Sequence, residues 1–185
     1  CDARFNAGGG LAPGNPYLDD AIRACASGAD AAPGSLNNLA LLVVLKTVRG
    51  DVAPQDWQRF QQRLATVRMS WDNIRAPLIF IHYAGLGVAL EKPQVLTALA
   101  TLDDRAVLRS ATLLRIGNAV LNDFSEPARA LPYFLKAVEA APPGDPLAWQ
   151  LGAELRELGK ADMANAVEQA ALARLDAAST VPHFP

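Results

Sequence analysis

Residues 130–171 read ALPYFLKAVEAAPPGDPLAWQLGAELRELGKADMANAVEQAA, and their spacing decides the fold. Ala130, Phe134 and Ala137 stand four and three apart, on one face of a helix, and Pro142 follows to end it. Asp145-Pro146 is a helix start, and Leu151, Gly152, Gly159, Ala164 and Ala171 mark a second helix, a turn and a third helix. Small residues at Gly152, Ala164 and Ala171 predict close helix approach, with Phe134 filling the space between neighbouring pairs. One such pair cannot hide its own apolar face, so pairs stack. The frame recurs near the N-terminus. Ala21, Cys25, Gly28 and Pro33 repeat the spacing of Ala130, Phe134, Ala137 and Pro142 at a constant offset of 109 positions, and the same offset carries Leu42 onto Leu151 and Gly50 onto Gly159.

This pattern resembles the tetratricopeptide repeat (TPR), a helix–turn–helix unit of about 34 residues with small and large apolar residues at set places. Ala130, Phe134, Ala137 and Pro142 match the second-helix signature, and Leu151-Gly152 the Leu-Gly pair of the next first helix. Trp149 stands one place later than the family's tryptophan. Glu168 replaces the expected aromatic of the last unit, as suits a capping helix whose outer face meets water. The resemblance implies an all-α superhelix of about four helical hairpins, irregular in the middle, over residues 17–177. Residues 1–16 form a Gly/Pro-rich arm and residues 178–185 a frayed tail. It also implies that first helices line a concave groove holding an extended peptide or a partner helix. That places Asn37, Ala40 and Val44 on the groove in the first unit, and Trp149, Ala153 and Arg156 in the last; a looser alignment adds Arg115 and Asn122. The lysine/asparagine clamp with which some members hold a terminal carboxylate is not at the matching places. Trp149 has a second reading as a packing residue.

Composition agrees with helix packing. Hydrophobic residues make up 51% and aromatics only 6% of the 185 positions, so alanine and leucine must build the core. A formal net charge of −2 lacks the basic face that nucleic acid requires. The apolar stretches at 36–48 and 76–90 are broken by polar residues and fall short of a membrane span. Residues 8–10 are a glycine run with no phosphate-loop lysine behind it. Arg49-Gly50-Asp51 spells an adhesion tripeptide but reads as a helix C-cap.

Local signals predict helices at 17–26, 36–49 (capped by Ser35), 54–68, about 74–90 (capped by Asp72 or Asn73), 93–102, 105–121, from about Ser125, 146–158 and 161–177. Trp57, Phe60, Leu64 and Val67 form the covered stripe of the third. In the fourth, Leu78, Ile81, His82 and Leu86 make the apolar face, with His82 a hydrogen-bonded core residue and Gly85 and Gly87 allowing close contact. Carboxylates lie scattered on wet faces, there is no Cys-His metal spacing and no nucleophile elbow. No catalytic residue, metal or cofactor is expected.

Cys1 and Cys25 leave three readings open: a disulfide tethering the arm, worth about 3 kcal/mol by chain entropy; a lipidated Cys1; or two ordinary thiols. The bridge would imply an exported compartment. The opening Cys1-Asp2-Ala3-Arg4-Phe5-Asn6, then Pro13-Gly14-Asn15-Pro16-Tyr17, ahead of helical repeats also resembles the periplasmic C-terminal domain of a bacterial membrane protein of the O-antigen polymerase or glycan-transferase type. The expectation is a non-catalytic scaffold of the cell envelope, meeting a protein or peptide partner. Its membrane attachment would come only through a flanking segment or a lipidated Cys1. The alternative is a cytosolic enzyme or regulatory domain holding a small ligand between helices.

Overall fold

The computed structural model describes residues 14–179, which contain nine α-helices and no strand. The chain divides into two compact units, one ending at Ala106 and the other beginning at Val107.

The first unit holds α1 (Leu18–Ala31), α2 (Asn37–Arg49), α3 (Pro54–Thr66), α4 (Trp71–Gly85) and α5 (Lys92–Arg105). Its axis is α2, where every residue from Leu39 to Leu45 is buried. A helix apolar all round must be covered on all sides, and α2 packs against α1, α3 and α4. Leu18, Ala21, Ile22 and Cys25 of α1 close on Leu41, Leu42 and Leu45, with Ile79 and Tyr83 of α4 at the edge. On the α3 side, Trp57 and Phe60 meet Phe80 of α4 at centroid distances of 4.8 and 4.9 Å. These two contacts are tilted and edge-on, as aromatic quadrupoles favour.

The second unit holds α6 (Ser110–Asn122), α7 (Pro127–Ala140), α8 (Leu147–Glu157) and α9 (Ala161–Ser179). Here α6 pairs with α7, α8 pairs with α9, and the two hairpins meet through α7 and α9. Phe134 is fully buried and lies on Gly117 of α6, where a Cβ would come within 2.5 Å of its ring. The ring therefore fills the inside of a hairpin.

The recurring register has a structural meaning at its ends. Gly50 and Gly159 both end their helices with positive φ, 86° and 70°. In each case the next N–H turns back to the carbonyl five residues earlier, Asp51 to Lys46 and Lys160 to Leu155. A left-handed residue is needed for this closure, and glycine takes it without a Cβ penalty. Arg49 and Asp51 pair with each other across Gly50, so the tripeptide is a folded helix end. Packing partners do not recur: α1 lies against α2, whereas α7 packs on α6 and α9.

Several boundaries move for identifiable reasons. Gly28 does not stop α1; it lies inside the helix, where a Cβ would stand 2.6 Å from the Asn38 side chain. Ser35 does not cap α2, which begins from Leu36 without a side-chain cap. Ser70, not Asp72 or Asn73, caps α4 by accepting the Asn73 N–H. α4 ends at Gly85, and Gly87, at φ 86°, makes the turn instead of a close helix contact. α5 runs on to Arg105, because that guanidinium donates to the Leu64 and Val67 carbonyls at the end of α3. α6 consequently starts later, at Ser110. His82 is exposed, in edge contact with Tyr83. The covered stripe of α4 is Asn73, Ala76, Pro77, Phe80 and Ile81.

Cys25 is fully buried, and its expected partner Cys1 lies outside the described residues, as do positions 1–13 of the arm and 180–185 of the tail. Ala178 and Ser179 belong to α9.

Candidate functional site

The five residues expected on a concave surface fall on three helices in the two units. In the first unit the intended face is closed. Ala40 and Val44 are fully buried, and Asn37 is half-buried with its Oδ1 out of reach of solvent and accepting no hydrogen bond. The spacing that marks a groove-lining helix is here the interior side of α2. An apolar helix serves as a core axis or a docking face with the same periodicity, and only tertiary packing separates the two.

In the second unit the expected face is open. On α8, Trp149 is 41% exposed and Ala153, one turn on, is exposed beside Glu157. The opposite side of the helix, Ala148, Leu151, Gly152 and Leu155, is buried against the rest of the hairpin. α8 starts where Asp145 Oδ1 accepts the Leu147 N–H, 2.9 Å away. On α6, Arg115 and Asn122 are exposed, with Asn122 the last helical residue.

Arg156 is held by its own unit. Its guanidinium donates to both carboxylate oxygens of Glu168 and reaches Asn165 Oδ1 at 3.2 Å. Glu168 therefore does not present an outer cap to water. Its side chain lies over Gly152, where an added Cβ would run into Oε1. The glycine makes the space, the glutamate crosses it, and the arginine on the same helix as the glycine receives it. The hydrogen bond from Arg156 holds the Glu168 carboxyl below its usual range and raises the arginine. A folded-state pKa that is depressed contributes stability above the unfolded value, about 4.3 for glutamate, and loses it as pH falls through the folded value. The difference in melting temperature between the protein and Glu168→Gln should accordingly be present at pH 7 and close below about pH 4. A difference independent of pH would show that shape rather than charge holds the pair.

Beside Trp149, the turn between α7 and α8 and the distal half of α9 enclose a shallow groove. Pro142, Leu147, Trp149, Ala171 and Leu175 line it. Its volume is about 10 Å3, room for about one water molecule. Arg174 crosses its floor to donate to the Val138 carbonyl at the end of α7. That interaction suits a cation at a helix C-terminus.

Among the described residues no group of three or more His, Cys, Asp or Glu side chains could hold a metal ion, and no helix is long and apolar enough to cross a membrane. No protein-family model matches the chain, and no curated protein or solved structure is significantly similar to it.

Proposed function

We propose that the chain is a TPR-like protein-interaction module of the bacterial cell envelope, and that its partner, a protein or peptide, meets the outer face of α8. The observation that carries the reading is Trp149. Its ring stands 41% exposed on a helix whose other side is packed, next to the small Ala153. Tryptophan at an exposed site with a flat neighbour is the kind of residue that dominates interface energies, at about 2 kcal/mol or more when truncated. The hairpin pairing of α6 with α7 and α8 with α9, and the shared helix closure at Gly50 and Gly159, support the repeat reading. Arg115 and Asn122 would serve a second contact strip, while Arg156 would act by holding α8 to α9.

The test is Trp149→Ala in the full chain, used as bait in native envelope extract. The expected result is at least about 30-fold weaker recovery of the partner, with the helix content unchanged and the melting temperature only modestly lower, because the residue is 41% exposed and the rest of it packs on its own unit. Recovery equal to that of the unaltered protein would overturn the assignment of the face.

Location in the envelope is proposed together with a Cys1–Cys25 bridge. Intact mass spectrometry without reductant should give a chain lacking the two thiol hydrogens. Two free thiols, or a lipid adduct on Cys1, would remove the bridge as support for an oxidising compartment.

A further inference from the structure

We draw no further inference here: the strongest candidate, the shallow apolar groove between the α7–α8 turn and the distal half of α9, walled by Pro142, Leu147, Trp149 and Leu175, carries nothing because no observation shows what would cover it.

Discussion

Phe134→Ala should cost the second unit about 3–5 kcal/mol, the usual range for emptying a fully buried phenylalanine site. The ring has no exposed surface and lies against the backbone of Gly117, so its removal leaves a void that two packed helices can only partly close. Whole domains are stable by only about 5–15 kcal/mol, so this is a large share. Amide hydrogen exchange on the full chain reads it locally. Protection in α6 and α7 should fall by roughly two to four orders of magnitude, at about 1.4 kcal/mol per tenfold. Amides of α2 in the first unit provide the internal reference. A loss below tenfold would mean that Phe134 is not the centre of the hairpin.

Gly117 supplies the sharper half of the same test. Alanine is a better helix former than glycine by about 1 kcal/mol, so an open site would gain from Gly117→Ala. Here the new Cβ would stand 2.5 and 2.6 Å from two ring carbons of Phe134. A buried ring has nowhere to go, and overpacking of this kind costs about 1–3 kcal/mol. The clash should win, giving a net loss. In the Phe134→Ala background the clash is gone, and Gly117→Ala should then stabilise. That change of sign is the coupling expected of residues in contact. Additive effects would refute the contact.

The parts of the fold that could be read from sequence are those in which the deciding partner lies within a turn or two. Asp145-Pro146 marks the start of α8, because the Asp145 oxygen and the Leu147 N–H it accepts are two residues apart. Gly50 and Gly159 announced helix ends, because a left-handed closure is a local geometry. Trp57, Phe60 and Leu64 mark the covered stripe of α3, while Val67, expected with them, lies just past the helix end and is half-buried. Where the partner is distant, the local sign misled. Gly28 looked like a stop, yet its small size serves the Asn38 side chain on the next helix. His82 sat in an apolar spacing, but the neighbours of α4 cover a different stripe. The candidate site rests on distant partners. For Trp149 the sequence leaves a groove residue and a packing residue both open, and its 41% exposure on α8 is decided by the packing of its unit; likewise the burial of Ala40 and Val44 depends on three other helices packing around α2. Arg156 looked available because its partner Glu168 is on another helix, twelve positions away.

Asn73 shows what such a distant partner is worth, and Asn73→Ala should destabilise the first unit by about 3 kcal/mol. The side chain is only 3% exposed. Its Oδ1 accepts the Leu36 N–H at 3.0 Å, and its Nδ2 donates to the Gly34 and Arg68 carbonyls at 2.9 Å each. One amide thus ties the start of α4 to the turn that enters α2, 37 positions away. Ordinary hydrogen bonds contribute about 1 kcal/mol net, and a buried donor left unpaired costs about 1–3 kcal/mol. Alanine would lose all three bonds and strand the Leu36 N–H. Asn73→Asp isolates the donor role. It keeps the acceptor for Leu36, but sets a second oxygen against two carbonyls at a buried site. Burial and those facing oxygens disfavour the charged form, so the folded-state pKa of the new carboxyl should lie above the unfolded value of about 3.9. A raised acid favours the protonated fold. The variant's stability relative to the unaltered protein should therefore be best below about pH 4, where the carboxyl can donate one bond, and fall as pH rises through the folded value. Urea unfolding at several pH values checks both variants. Asn73→Ala within about 1 kcal/mol of the unaltered protein, or an Asn73→Asp penalty that ignores pH, would show that the turn before α2 is held by its apolar contacts and not by this amide.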